Sequence, residues 1–256
     1  MMLLALDVGN THTVLGLFEG AGLRKRWRIR TARGGTADEY GVVIRDLLRY
    51  EMKGSLSSMV VASVVPSLDS VLREMARVCF DLDPVFVTAE NIPGIPVLYR
   101  EPKDVGADRV VNALAALAEE KPPLIIVDFG TAITFDVINE KGEYVGGSIL
   151  PGIGISLAAL YREAARLSPV DLVPPEGPVG RSTEESIRSG VLFGYASLVE
   201  GMVERISKEM KEAPTVIATG GFAPLMARVT EGIGRVDTDL TLKGLRLAWD
   251  RIKETS

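Results

Sequence analysis

The sequence carries one cysteine (Cys79) and one histidine (His12) among 256 residues. A disulfide framework, a Cys-rich zinc site and a histidine metal cage therefore all lack their ligands. A Ser-His-Asp triad would have to recruit His12, which sits in a Gly-Asn-Thr-His-Thr turn. Long apolar runs are also missing. The opening MMLLAL stops at Asp7 without a basic leader, and no stretch approaches about 18 uncharged apolar residues. Neither a signal peptide nor a membrane span is expected, and a cytoplasmic protein is. Basic charge is in deficit, with 29 Lys+Arg against 34 Asp+Glu. That argues against a basic nucleic-acid face but leaves room for anionic small molecules held by local groups. No G-x-x-x-x-G-K-[ST] loop occurs. Gly152-Ile153-Gly154 and Gly232-Ile233-Gly234 lack the third glycine of a dinucleotide fingerprint. With 46% hydrophobic and 25% charged residues, the rest reads as an α/β globule that needs no staple.

The apolar pattern predicts strands over 2–6, 13–18 and 23–29, then a helix behind the Thr36–Glu39 capping box. Strands over 59–65 and 85–88 flank a helix over 67–79, and 91–100 is irregular. The order then restarts. A helix over 106–120 precedes strands over 124–127, 134–138 and 144–150 and a helix near 154–166. A proline-rich loop over 168–180 leads to a second capping box at Ser182–Glu185 and a long helix to about Met210. A strand over 216–218 and helices over 222–229 and 242–252 close the chain.

An internal repeat organises these elements. At an offset of 121 residues, LLALDVGNTHTVLGLFE (3–19) overlays LIIVDFGTAITFDVINE (124–140). Leu3/Leu124, Asp7/Asp128, Gly9/Gly130, Thr13/Thr134 and Glu19/Glu140 coincide. Both copies place a carboxylate at the end of a buried strand, before a glycine turn with hydroxyls. Such a turn lets backbone N–H groups approach a phosphate chain, while the carboxylate acts through a cation or its water shell. Two related halves are expected, residues 1–100 and 101–256, facing each other across a cleft. The alternative for either copy is a hairpin whose aspartate only caps its turn.

DVGNTHT (7–13), GADR (106–109) and DFGTAIT (128–134) occur here in the order seen in type III pantothenate kinases, which the chain resembles. GGSILPG (146–152) and residues 183–190 fit the same pattern, and VIATGG (216–221) looks like the adenosine-side turn of the wider actin-like superfamily. The resemblance implies duplicated ribonuclease-H-like (actin-like ATPase) domains, each a mixed sheet flanked by helices. It implies ATP-dependent phosphorylation of pantothenate, the first step toward coenzyme A, with Asp108 as general base. ATP would be bound by Asp7, Val8, Gly9, Asn10, Thr11, His12, Thr13, Val14 and Thr131. Pantothenate would be bound by Tyr99, Gly106, Ala107, Asp108, Arg109 and Thr183. Asp128 would hold a monovalent cation, K+ or NH4+, and Mg2+ would travel with ATP near Asp7. The resemblance also implies a homodimer in which Thr183 reaches the neighbouring subunit's substrate. The apolar stripe Ile187, Val191, Leu192, Leu198 and Val199 is a candidate dimer element, or else packs within its own half. Residue by residue, Asp108-Arg109 is also readable as a solvated first-turn pair, Tyr99 as a loop tyrosine and Thr183 as a helix cap. A kinase or phosphatase acting on another alcohol or on polyphosphate, and a non-catalytic nucleotide-binding regulator, are the competing functions.

Overall fold

The computed structural model describes residues 1–52 and 54–255. They divide into two units. The first comprises residues 1–95 and 99–115 and the C-terminal stretch from Leu240; the second comprises 96–98 and 116–239.

The first unit is built on β1 (Met2–Val8), whose neighbours are β2 (His12–Glu19), antiparallel, and β4 (Ser58–Ser63), parallel. The edges are β3 (Gly22–Arg30) and β5 (Val85–Phe86), in the order β3-β2-β1-β4-β5. The inner strands β1 and β4 are largely apolar because both faces are covered, as expected of a sheet with helices on each side, whereas edge strand β3 is rich in exposed arginine and lysine. Leu4, Leu6, Val8, Leu15 and Leu17 pack with Ile44 of α1 (Ala37–Arg49) and with Leu68, Leu72 and Met75 of α2 (Pro66–Phe80). Thr36 caps α1 with the full reciprocal box, as its spacing predicts. The opposite face carries Leu3, Ala5, Asp7, Val14 and Gly16, by the alternation of a strand. There α7 (Leu240–Thr255) packs with buried Leu240, Leu242, Leu245, Ala248 and Trp249. A Cβ on Gly16 would sit 3.0 Å from Leu242, so the strand must be bare at that point.

The second unit repeats the arrangement. β6 (Leu124–Phe129) lies between antiparallel β7 (Ala132–Ile138) and parallel β9 (Thr215–Thr219), with β8 (Tyr144–Pro151) and β10 (Arg235–Val236) at the edges. The order β8-β7-β6-β9-β10 matches the first sheet strand for strand. The helices are α4 (Ile153–Glu163), α5 (Thr183–Ser207) and the short α6 (Ala223–Met226). α3 (Ala107–Glu119) begins in the first unit and ends in the second.

Three features differ from the sequence expectations. Residues 99–115 and the last helix group with the first unit, whereas the expected second domain ran without a break over 101–256. The reason is that α7 buries its apolar stripe on the first sheet, a pairing of residues more than 200 positions apart. The repeat offset also changes inside the hairpins. Asp7 stands opposite Val14 and Asp128 opposite Thr134, so Thr134 corresponds to Val14 and not to Thr13. The second turn is one residue shorter, and Gly9 N–H bonds His12 O where Gly130 N–H bonds Ala132 O. Finally, Ile187, Leu192 and Val199 of the proposed dimer stripe lie in the core of their own unit, while Leu198 is exposed.

Candidate active site

The first hairpin is narrow because Gly9 has no side chain; a Cβ there would lie 2.9 Å from His12 O. Its tip, Asn10 and Thr11, is exposed. Thr31 fastens it from the end of β3, donating its hydroxyl to Gly9 O at 2.7 Å and its N–H to Thr11 O at 3.0 Å. Thr13 is wholly buried, with its hydroxyl 3.0 Å from that of Thr31, and Val8 is wholly buried in the core. Side-chain contact with a ligand is closed to both, so any contribution from them is through the backbone. Asp7 is partly exposed, on the face opposite the α1/α2 core.

Arginines surround the tip. Arg33 donates to Asn10 Oδ1 at 2.9 Å, and Arg28 Nη2 lies 2.9 Å from Nδ1 of half-buried His12. Burial, then the positive charges of Arg28 and Arg30, hold the imidazole pKa below its ordinary value. The sequence signal for this cluster is the alternation Arg24, Arg26, Arg28, Arg30 along one strand, and motif reading passed over it.

Residues 106–109 form the first turn of α3. Gly106 C=O accepts from the N–H groups of Arg109 (3.1 Å) and Val110 (3.3 Å). The Asp108 carboxylate folds back on this turn, Oδ1 accepting from Arg109 N–H at 2.9 Å. A Cβ on Gly106 would stand 2.5 Å from that oxygen, so glycine leaves the carboxylate its place. Burial raises the Asp108 pKa, opposed in part by the Arg109 N–H, the Arg109 guanidinium and the N–H of Asp108 itself. A carboxylate shifted in this direction is a stronger proton acceptor at neutral pH. Arg109 is itself nearly buried, and Tyr99 is exposed on the loop that precedes this turn.

In the second unit, Asp128 is the penultimate residue of β6, and the turn Gly130-Thr131 presents Thr131 to solvent. Glycines crowd this turn. Gly152 N–H donates to Thr131 O at 3.0 Å, and a Cβ on Gly152 would lie 2.5 Å from Gly130 O. Gly220 has φ +90°; its Cβ would overlap the Asp128 carboxylate and come within 2.7 Å of Phe129 O. A carboxylate beside close-packed backbone carbonyls is an oxygen donor set suited to a hard monovalent cation. Among the described residues, no group of three or more His, Cys, Asp or Glu is placed to hold a metal by itself. Beneath the turn, buried Asp136 accepts from Tyr144 OH (2.8 Å) and from Thr134 Oγ1 (3.1 Å). Thr134 is the residue opposite Asp128, so the network fixes its hydroxyl. Sequence reading missed Asp136, because a polar residue inside a strand does not reveal its partner.

Thr183 is the first residue of α5, and Ser182 is the cap, accepting from Glu185 N–H at 3.2 Å. Thr183 is thereby spared from capping. It is exposed and lines a cavity of about 460 Å³ with Arg166, Ser168, Asp171, Glu184 and Ile187. The structure thus brings the Asp7 hairpin and the 106–109 turn into the first unit, and Asp128, Thr131 and Thr183 into the second.

A family model described as type III pantothenate kinase matches residues 3–205. A type III pantothenate kinase from Anaeromyxobacter dehalogenans (strain 2CP-C) is 50% identical over 252 residues, covering 98% of this chain and 99% of its own. One from Geobacter sulfurreducens is 44% identical over 255 residues, covering 99% and 100%. Among solved structures, a Campylobacter jejuni protein described as a Baf family transcriptional activator superposes with TM-score 0.62 at 21% identity, covering 98% of each chain. The activator of 2-hydroxyisocaproyl-CoA dehydratase from Clostridium difficile, with bound ADPNP, gives 0.60 at 15% identity, covering 100% of this chain and 97% of its own. Both are similar in fold.

Proposed function

The chain belongs to the type III pantothenate kinase family, and from that premise we infer that it transfers the γ-phosphoryl group of ATP to the primary hydroxyl of pantothenate. The products are ADP and 4′-phosphopantothenate, and the step opens coenzyme A synthesis. The observation that carries this assignment to the residue level is the Asp108 carboxylate, held at the start of α3 with a raised pKa. Asp108 takes the hydroxyl proton as the bond to phosphorus forms and the bond to the ADP oxygen breaks. Phosphoryl transfer depends chiefly on positioning and on stabilising charge, so the base supplies only part of the rate.

ATP binding falls to Asp7, Val8, Gly9, Asn10, Thr11, His12, Thr13, Val14 and Thr131, through turn N–H groups and the Thr11 and Thr131 hydroxyls. Asp7 would hold the Mg2+ that accompanies ATP, directly or through its water shell. Asp128 holds a monovalent cation, K+ or NH4+, whose charge offsets that of the phosphates; the oxygen-rich Gly220 cradle supports this. Arg109 pairs with the pantothenate carboxylate, a role its forked donors suit better than a lysine ammonium. Gly106, Ala107 and Tyr99 line the substrate. The exposed Thr183, freed by Ser182, completes the substrate site of a second copy in a homodimer. The setting is the cytoplasm; among the described residues no helix is long and apolar enough to cross a membrane.

The test is a coupled assay with pantothenate, ATP and Mg2+, run in parallel in K+ and in Na+. Pantothenate-dependent ADP release in K+ is expected, and its absence would overturn the assignment. Full activity in Na+ would remove the cation role of Asp128 alone.

A further inference from the structure

We propose that Arg28 and Arg30 of β3, with Arg33 beyond it, form a cationic wall beside the Asp7 hairpin that binds the phosphate chain of ATP, and that His12 holds Arg28 in position. The proposal rests on the kinase assignment above and adds to it residues outside the hairpin motif.

Register supplies the first argument. Arg28 stands opposite Val14, and Val14 stands opposite Asp7; Arg30 stands opposite His12. Directly opposed residues share a face, so Arg28 and Arg30 project on the Asp7 side of the sheet. Lys25, Trp27 and Ile29 alternate to the other side, where Trp27 and Ile29 pack against the core.

Pairing supplies the second. Elsewhere on β3, Arg24 is paired with Glu19 and Lys25 with Glu51. Among the described residues no carboxylate lies within ion-pair distance of Arg28 or Arg30. This holds in a chain whose carboxylates outnumber its bases by 34 to 29. Two like charges kept side by side without a counter-ion repel each other, and an anion bound at the tip removes that cost.

The hairpin itself carries no cationic side chain. Residues 7–14 contain no lysine or arginine, so the turn offers a phosphate chain only N–H groups and hydroxyls. Phosphoryl transfer draws on fixed cationic donors around the triphosphate, and arginine presents them in a planar fork. His12 accepts on Nδ1 from Arg28, which requires a neutral ring at that nitrogen and fixes one arm of the guanidinium. Arg33 fastens the tip itself through Asn10. In this arrangement Arg28 and Arg30 touch the phosphates, while His12 is a positioning residue.

The experiment uses the full chain carrying Arg28→Met or Arg30→Met, which keep an unbranched side chain at exposed strand positions. ATP Kd is measured by direct titration, and KM for ATP and for pantothenate by the coupled assay. Each substitution is expected to raise the ATP constants roughly 10- to 150-fold, the range of a lost charge-assisted hydrogen bond, and to leave the pantothenate KM within about twofold. His12→Gln, whose amide oxygen can still accept from Arg28, should raise the ATP KM less than His12→Phe does, and an equal rise in the two would overturn the positioning role of His12. His12→Phe should reproduce the Arg28→Met rise in ATP KM, and the His12→Phe/Arg28→Met pair should be no worse than Arg28→Met. Unchanged ATP constants in both arginine variants would overturn the proposal. So would a rise confined to pantothenate KM, which would give these arginines to the substrate carboxylate. A parent enzyme without pantothenate-dependent ADP release would instead remove the kinase assignment, and the ATP titration would still decide the arginine wall.

Discussion

Asp108 is stabilised less well by folding than its position at a helix start suggests. Burial penalises the charged carboxylate more than its N–H donors and Arg109 reward it, so its folded-state pKa lies above the ordinary 3.8. Between those two values the unfolded chain has already released its proton while the folded chain retains it. Stability therefore falls as pH rises through that window, and the deficit remains at neutral pH. Asp108→Asn is expected to raise the thermal midpoint at pH 7, with the gain disappearing below the ordinary carboxylate range. The same substitution should lower kcat by roughly 100-fold or more, the share of a general base. Calorimetry at two pH values with a turnover assay checks both. Gly106→Ala should also lose turnover while remaining folded, since the added methyl displaces the Asp108 oxygen 2.5 Å away. Residues such as these were legible in the sequence because their motif is contiguous. His12–Arg28 and Asp136–Tyr144 were not, because each joins side chains from different strands, and a strand's pattern reveals its faces but not its partners.

Strands and most helices were legible from apolar runs, capping boxes and glycine turns. The register of the second hairpin was not, because a turn one residue shorter leaves the run of apolar residues unchanged. The tip of β10 was also missed; its two residues make no pattern, and Arg235 within it is fixed by distant groups. That arginine pairs with Glu119 and Glu120 near the end of α3 and with Asp237. Arg235→Met leaves three carboxylates facing one another. A loss of about 1 kcal/mol is expected, a midpoint shift of roughly 2–4 °C, smaller at high salt. Gly220→Ala acts on a different element. Its φ of +90° and the overlap with the Phe129 backbone should cost about 1–3 kcal/mol and weaken any K+ dependence of activity through Asp128. Thermal unfolding and a K+ titration separate the two effects.

For the whole molecule, the second unit is nested within the first along the chain, and the two return points lie near residues 115 and 240. An amphipathic helix at 242–252 was readable, but nothing in its pattern says which sheet it covers. Both tryptophans, Trp27 and Trp249, belong to the first unit, so their fluorescence reports on that unit alone. Deleting residues from Leu240 onward uncovers one face of the first sheet. Trp27 packs on the opposite face, against the α1/α2 core, so a shift of its emission to that of a solvated indole is expected through unfolding of the whole first unit, while the far-UV signal of the second unit persists. Native-like Trp27 emission in the truncated chain would show that α7 is dispensable to the first sheet.

The return of α7 to β1 also sets an order of events on the ribosome. The second unit can be complete before the first, because the helix that finishes the first follows the whole second unit along the chain. About 145 residues separate Ile95 from Leu240, which at about 5–20 residues per second is a wait on the order of 7–30 s. Through that interval the nascent chain carries Leu3, Ala5 and Val14 on an unlidded sheet, which is sealed only after the second unit has been made.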